Sequence, residues 1–293
     1  MMEASQTTII HEAKLKDRQR IANLIHFELL VHRHLDWRSP LDWIDHQPYL
    51  LAEQGNKLIA VLACPPDPPT VAWIRLFAIT GEVSRETTWE HLWSAALSKL
   101  NKSRNITVAA IPLQDWFQEL LQNSGFILSN RVVMLIWDGD LPPERSVFGL
   151  NFRPMNIDDL PSIEMLDELS FGPIWHNSSD SLELAFRQAV LATVAEFDQK
   201  IIGYMISTSN NLGGHLARLA IHPQYQSQGV GYCLLRDTLE QFKRRGAHRV
   251  TVNTQEDNFI SLSLYQKSGF RRTKEDFPVY IYSGNPFNDV NKT

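Results

Sequence analysis

The sequence of 293 residues predicts a mixed α/β protein built from two similar halves. Segments with helical periodicity alternate with short runs rich in β-branched and aromatic residues. Two pairs of short segments recur at nearly the same separation, and a proline-containing stretch near the middle has the composition of a linker. Together these three observations favour the duplication of one α/β unit.

The repeat is visible in two places. Residues 55–61 and 198–204 each read as a turn followed by a strand, and these two segments are 143 residues apart. Residues 123–126 and 267–270 share Ser-Gly-Phe at a separation of 144, and a β-rich run follows each copy. A nearly constant separation over most of each half indicates two copies of the same unit.

Both halves are predicted to contain the same order of elements. In the first half these are a helix at 18–32, strands at 49–51, from 57 and within 71–79, a helix at 90–100, a strand at 106–111, a helix at 116–123 and a strand at 131–137. In the second half they are a helix at 157–169, strands at 191–196, from 200 and at 215–221, a helix at 231–243, a strand at 249–253, a helix at 259–267 and a strand at 278–282.

The boundary between the halves is placed after residue 145, because residues 138–145 contain a glycine and two adjacent prolines. The predicted domains are therefore residues 1–145 and residues 146–293. A long surface loop within a single domain is the alternative interpretation.

Composition excludes several classes of function. The 28 Lys and Arg against 33 Asp and Glu give a net charge of −5, so nucleic acid is not an expected partner. Two cysteines, Cys64 and Cys233, cannot form a disulfide framework and suit a reducing compartment. No apolar run approaches the ~20 residues that a membrane span needs, so we predict a cytoplasmic protein without a membrane partner. His32 and His34 lack a third ligand, and no metal site is predicted.

Residues 219–231 read as an apolar strand, a polar loop ending in two glycines, and the start of a helix. Gly229 and Gly231 have no Cβ to block a close ligand, and the first amides of a helix lack intrahelical partners. The helix dipole adds partial positive charge at the same point, so the natural ligand is a phosphate. Glycines that merely permit a tight turn are the alternative, and the spacing matches neither the P-loop nor the dinucleotide fingerprint.

Two ordered motifs in the second half resemble those of the GCN5-related N-acetyltransferase (GNAT) superfamily. Residues 226–231 match the family signature Gln/Arg-x-x-Gly-x-Gly/Ala, and residues 258–270 match its Asn-x6-Tyr-x3-Gly-Phe segment. The resemblance implies two tandem GNAT-like domains, each a mixed, mostly antiparallel twisted sheet flanked by helices. It also implies acetyl-coenzyme A as the co-substrate of the second domain.

The resemblance assigns a role to each motif residue. In the family, backbone groups of the central strand hold the pantetheine arm and the acetyl carbonyl, and the matching residues here are Leu219, Ala220 and Ile221. The loop cradles the pyrophosphate, and its residues here are Gln226, Ser227, Gln228, Gly229, Val230 and Gly231. Asn258 is implied to contact the pantetheine, and Tyr265 matches the general acid that protonates the departing thiolate. An ordinary core tyrosine is the alternative for Tyr265.

The motifs do not specify the base that removes the proton of the amine. Ribosomal-protein N-acetyltransferases carry a glutamate five residues before the asparagine of the second motif, and Asn253 stands there instead. An asparagine cannot act as a base. His215 is the candidate on the preceding strand, because its side chain can titrate near neutral pH. Glu256, a water chain and capture of the free amine are the alternatives.

The first half resembles a degenerate copy of the same domain. At the repeat separation, residues 84–89 stand opposite the glycine loop, and Leu121 stands opposite Tyr265. Residues 84–89 contain no glycine, and the carboxylate of Glu86 would repel a pyrophosphate. Seven of the eight tryptophans lie in this half, where they either fill the core or line an aromatic pocket.

The sequence therefore predicts an acetyltransferase that moves the acetyl group of acetyl-coenzyme A directly to a primary amine, either a small molecule or a protein N-terminus. We expect no covalent enzyme intermediate, because Cys233 reads as a small buried apolar residue. Residues 171–178 either recognise the acceptor or form a loop pinned to the core. A non-catalytic acyl-coenzyme A sensor and an interaction protein outside the family are the alternative functions, and the oligomeric state is left open.

Overall fold

A computed structural model describes residues 7–101, 106–211 and 213–283. The strands are β1 (Thr8–Glu12), β2 (Leu30–Arg33), β3 (Tyr49–Gln54), β4 (Lys57–Ala63), β5 (Val71–Trp73), β6 (Leu76–Ile79), β7 (Thr107–Ala110), β8 (Phe126–Trp137), β9 (Leu150–Pro154), β10 (Leu191–Phe197), β11 (Lys200–Asn210), β12 (Gly213–Ile221), β13 (Val250–Gln255) and β14 (Arg271–Tyr282). The α-helices are α1 (Arg18–Phe27), α2 (Arg85–Leu100), α3 (Asp115–Asn123), α4 (Leu160–Ser170), α5 (Ser179–Gln188), α6 (Val230–Arg244) and α7 (Phe259–Lys267).

The chain divides into two compact units, which we call the first and the second unit. The first unit contains the described residues up to 129 and those from 278, and the second contains those of 130–277. The predicted boundary assigns residues 130–145 to the first half and residues 278–283 to the second half. The observed units assign these two segments the other way round. Strand pairing explains this difference in assignment. β8 pairs with β13 over residues 132–137, whereas Tyr280 and Ile281 at the end of β14 pair with β7.

The first unit has a five-stranded antiparallel sheet in the order β1-β3-β4-β6-β2, and a smaller group in the order β5-β7-β14. The predicted helix at 18–32 is wrong beyond Phe27, because Leu30–Arg33 forms β2 and pairs with β6. This pairing buries His32 against the ring of Phe117, at a centroid distance of 4.1 Å. Tertiary pairing thus overrides the local helical pattern at this point.

The second unit has its strands in the order β14-β8-β13-β12-β11-β10-β9. The strands from β9 to β12 pair antiparallel, whereas β12 and β13 pair in parallel. Apolar side chains of α6, including Leu234, Leu235 and Leu239, form the core with Met205 and Leu216. The fold-class prediction of a mixed α/β protein with mostly antiparallel sheets and flanking helices is confirmed. Among the residues described, no helix has both the length and the apolar character that a bilayer crossing requires.

Candidate active site

A gap opens between β12 and β13 in the second unit. The two strands pair only from Gly214, opposite Val250, to Leu216, opposite Val252. Beyond that point β12 continues beside β11 and β13 continues beside β8. A bulge in the β11–β12 register at Ala217 accompanies the divergence. The edge of β12 beyond Leu216 therefore carries backbone groups that β13 does not pair.

The ladder with β11 decides which residues of β12 turn their backbone toward this gap. The His222 amide donates to the Ile202 carbonyl at 2.8 Å, which makes these two residues a hydrogen-bonded pair. Such pairs alternate along an antiparallel ladder, so the backbone of Ala220 points to β11, whereas Leu219 and Ile221 point to the gap. The Ile221 carbonyl already accepts the Gln226 side-chain amide at 2.9 Å. The amide and the carbonyl of Leu219 and the amide of Ile221 are thus left for a ligand.

The loop after β12 presents a row of unpaired amides. Ser227 has φ 60° and Gly229 has φ 88°, so the backbone enters the left-handed region twice before α6 begins. This alternation forms an anion-binding concavity. No side chain caps α6, and the amides of residues 227–232 donate no hydrogen bond to any residue that the structure describes. A Cβ added to Gly229 would have Val147 Cγ2 as its nearest neighbour, at 3.5 Å, so side chains do not seal the loop.

Helix α7 meets the loop and the end of β12 at Gly231. A Cβ at Gly231 would lie 3.4 Å from Leu264 Cδ2 and 3.5 Å from Ile221 Cγ1. Tyr265 follows Leu264, is 5% exposed, and its ring centroid is 5.5 Å from that of Phe270. Its hydroxyl makes no hydrogen bond within the described part of the chain, and burial raises its pKa. Tyr265 therefore lies on α7, the helix that contacts the glycine loop at Gly231.

Asn258 lies at the N-terminus of α7 and caps it. Its Oδ1 accepts the Ser261 amide at 3.0 Å, and its Nδ2 lies 3.5 Å from Gln255 Oε1. The side chain therefore already has a structural function, and its predicted contact with pantetheine stays a prediction.

The candidate base His215 lies away from Leu219, and the alternative base Glu256 is held by an ion pair. His215 precedes Leu219 by four residues on β12, roughly 13 Å at the usual rise per strand residue. Its Nδ1 is 2.9 Å from Thr251 Oγ1, and burial lowers its pKa. Glu256 forms an ion pair with Arg272 at 3.1 Å. A role for His215 as the base therefore requires bridging water.

A buried ion pair that the sequence did not reveal lies on the face of the sheet covered by α4. Asp167 of α4 is fully buried and accepts hydrogen bonds from Arg218 Nε at 2.6 Å and Nη2 at 2.7 Å. The Tyr204 hydroxyl also donates to Asp167. Burial, together with the neighbouring carboxylate, holds the pKa of Tyr204 well above its usual range. Arg218 directly precedes Leu219, so the network fixes the strand where the gap opens.

The same arginine anchors the loop at residues 171–178. Arg218 Nη2 donates to the Trp175 carbonyl at 2.7 Å, and its Cζ lies 3.7 Å from the centroid of the Phe171 ring. The Asn177 amide donates to Asp167 Oδ1 at 2.8 Å. The loop is therefore pinned to β12 and α4, and recognition of the acceptor by this loop stays a prediction.

The stretch predicted as a linker adds a positive charge near the start of α6. The Arg145 guanidinium lies over the ring of Tyr232, with Cζ 4.7 Å from the ring centroid. The Tyr232 hydroxyl donates to the Pro143 carbonyl at 2.8 Å. Cys233 is buried, its thiol donates to the Arg145 carbonyl, and burial raises the thiol pKa, which disfavours a nucleophilic role. Within the described ranges, no group of three or more His, Cys, Asp or Glu side chains could hold a metal ion.

The equivalent position in the first unit has a different chemistry. The side chain of Ser84 caps α2 by accepting the Thr87 amide at 3.3 Å, and Glu86 lies in the first turn. Trp89, the counterpart of Gly231, is buried and donates to Ser124 Oγ at 2.7 Å. Leu121, the counterpart of Tyr265, is fully buried. Most described tryptophans of the first half fill cores, and the loss of cofactor binding there stays a prediction.

Part of the sequence of the second unit is similar to known acetyltransferases. Residues 160–270 match the model of the acetyltransferase (GNAT) family. N-alpha-acetyltransferase 30 of Schizosaccharomyces pombe is 31% identical over 99 residues, which span 32% of this chain and 66% of that protein, just under two thirds of its length.

Two solved structures share the fold across almost the whole chain. A tandem GNAT protein from the clavulanic acid biosynthesis pathway, solved without AcCoA, has a TM-score of 0.63 at 14% identity and covers 96% of this chain and 100% of its own. A GCN5-related N-acetyltransferase from Anabaena variabilis ATCC 29413 has a TM-score of 0.68 at 12% identity and covers 94% of this chain and 72% of its own. At these identities the two structures support the fold alone. The sequence of residues 160–270 is thus similar to the acetyltransferase (GNAT) family, and the fold of the chain is similar to that of solved GNAT proteins.

Proposed function

We propose that the chain transfers the acetyl group of acetyl-coenzyme A directly to a primary amine while both are bound. The observation that carries this proposal is the row of unpaired amides at residues 227–232, next to the open edge of β12. Such a surface suits a long ligand with a diphosphate at one end and an acyl thioester at the other.

The residues present fit that ligand. The amides at residues 227–232 and the dipole of α6 would hold the diphosphate, with Arg145 adding positive charge nearby. Backbone groups of Leu219 and Ile221 would hold the pantetheine arm along β12. When bound, the coenzyme supplies an acetyl thioester whose carbonyl carbon the amine attacks, so that a C–N bond forms and the C–S bond breaks.

Two groups of the chain would serve the transfer itself. The Leu219 amide would donate a hydrogen bond to the carbonyl oxygen, where negative charge develops. Tyr265 would donate its proton to the departing sulfur, and its raised pKa keeps the hydroxyl protonated until then. The proton of the amine leaves to water, and His215 is the candidate that receives it through bridging water.

The proposal is tested in two steps with the full chain. Acetyl-coenzyme A at about 100 times its Kd should stabilise the protein by about 2.7 kcal/mol, measured as a shift in thermal unfolding. Coenzyme A release should then exceed hydrolysis with at least one member of an amine panel: a peptide with a free amino terminus, spermidine, an aminoglycoside and lysine. The peptide comes first, because the similar Schizosaccharomyces pombe protein is an N-alpha-acetyltransferase.

Each result of these two steps has a definite meaning. Stabilisation with amine-dependent release supports the acetyltransferase. Stabilisation without release above hydrolysis would favour the acyl-coenzyme A sensor. Absence of stabilisation would contradict both.

Replacing Tyr265 with phenylalanine should lower kcat on the order of 100-fold and leave the Kd for acetyl-coenzyme A within about twofold, because only proton donation is lost. In the unmodified protein, kcat should not fall through ionisation of this phenol up to about pH 10, the ordinary tyrosine value, since its pKa is raised. Steady-state rates across pH measure kcat, and isothermal titration measures the Kd for acetyl-coenzyme A. An equal loss of binding and turnover would reassign Tyr265 to packing.

Replacing His215 with glutamine should lower kcat by less than about tenfold, because water reaches the amine without this side chain. Steady-state rates with the best amine of the panel test this expectation. A loss above 100-fold, with disappearance of an inflection in the pH–rate profile below the usual histidine value, would instead establish His215 as the required base.

A further inference from the structure

One buried polar atom near the gap has no partner. Asn253 is the first residue of β13 after the last residue paired with β12, Val252. The Asn253 backbone lies opposite Met134 of β8. Its side-chain Oδ1 is buried and accepts no hydrogen bond from any residue that the structure describes. Buried acceptors are nearly always satisfied, so this oxygen at the head of the gap is free to accept a hydrogen bond from a donor outside the chain.

The alternation of β13 places this side chain on the α4 side of the sheet. Val250 and Val252 belong to the core that α6 forms, so Thr251 and Asn253 point to the opposite face. On that face Arg218 is held by Asp167. Asn253 and Arg218 therefore lie on the same face, on the two strands that border the gap.

The charges on this face limit what the donor can be. The Arg218 guanidinium is already neutralised by Asp167, and the side chain of Asn253 is uncharged. Neither Asn253 nor the Arg218–Asp167 pair offers an unpaired carboxylate to a cationic donor. A neutral N–H group needs only the side-chain oxygen of Asn253. The arrangement favours a free amine over an ammonium ion.

We propose that Asn253 Oδ1 accepts a hydrogen bond from the acceptor amine and orients its lone pair toward the thioester carbonyl. This inference rests on the proposed acetyl transfer and identifies a binding residue for the acceptor. Asn253 takes no proton, so the amine either arrives unprotonated or loses its proton to water.

The test compares Asn253→Leu and Asn253→Asp with the matched control Thr254→Val, which alters the adjacent side chain on the other face of β13. The amine is the panel member that gives the fastest coenzyme A release with the unmodified protein. Asn253→Leu should lower kcat/KM for that amine at least tenfold, mainly through KM. Asn253→Asp keeps an acceptor oxygen and should restore most of kcat/KM. Thr254→Val should stay within about twofold of the unmodified protein.

Two further measurements separate this role from a structural one. Because leucine removes an unsatisfied buried oxygen, the unfolding temperature of Asn253→Leu should be unchanged or higher. Its stabilisation by acetyl-coenzyme A should equal that of the unmodified protein. Unchanged kcat/KM in Asn253→Leu, or an equal loss in Asn253→Asp, would overturn the assignment. If none of the amines in the panel increases coenzyme A release by the unmodified protein, the proposed function itself fails before the Asn253 variants are compared.

Discussion

Replacing Gly229 with glutamate is expected to abolish the binding of acetyl-coenzyme A, with a loss of affinity of at least about 100-fold. The substitution places a carboxylate beside amides that are free to bind a diphosphate, and two like charges repel each other there. It also forces a side chain into a backbone with φ 88°, which costs roughly 1–2 kcal/mol. Isothermal titration with acetyl-coenzyme A measures the loss directly.

Gly229→Gln is the matched control, because glutamine has nearly the same shape and imposes the same backbone strain without the charge. We expect it to retain much of the affinity that Gly229→Glu loses. Similar losses in the two variants would mean that shape, not charge, governs the loop, and would remove the argument for a diphosphate at this position.

Replacing Asp167 with alanine is expected to destabilise the second unit by about 3–5 kcal/mol, because it leaves Arg218 buried without its counter-charge. This is a large part of the 5–15 kcal/mol that typically separates folded from unfolded domains. Urea unfolding followed by circular dichroism measures the change. The double variant Asp167→Leu with Arg218→Met should recover much of the stability, since apolar side chains of similar volume often replace a buried pair at little cost.

The surface pair of Arg187 with Glu183 offers a control of similar geometry, at 2.6 Å, but with both side chains largely exposed. Arg187→Ala should leave the urea midpoint almost unchanged, because solvent screens exposed pairs. If Asp167→Ala were equally harmless, the network around Arg218 would not be what holds β12 in place.

The parts of the site that depend on backbone shape were predictable from local sequence. The glycine loop needs left-handed backbone and a close approach of the ligand to the backbone, and few residue types other than glycine allow both. The glycines of residues 226–231 therefore indicate its position. Helix α7 has the predicted bounds because a capping asparagine and a following glycine delimit it.

The parts that depend on tertiary pairing were not predictable. Arg218 and Asp167 are 51 residues apart, and nothing in either local pattern indicates that they meet. The opening of the gap depends on where β12 and β13 stop pairing, which a strand pattern does not encode. The unsatisfied oxygen of Asn253 is visible only once its neighbours are placed, although the asparagine in place of the glutamate of ribosomal-protein N-acetyltransferases was a signal.

Each unit contains strands that pair although they are far apart in the sequence, and this has a consequence for folding during synthesis. The last strand of the first unit includes Tyr280 and Ile281, which pair with β7 made some 170 residues earlier. The second unit, in turn, borders β13 with β8, which ends 113 residues before β13 begins. The group β5-β7-β14 and the sheet of the second unit therefore cannot be completed until most of the chain has been synthesised, and a nascent first half must keep the β7 edge unpaired until β14 emerges.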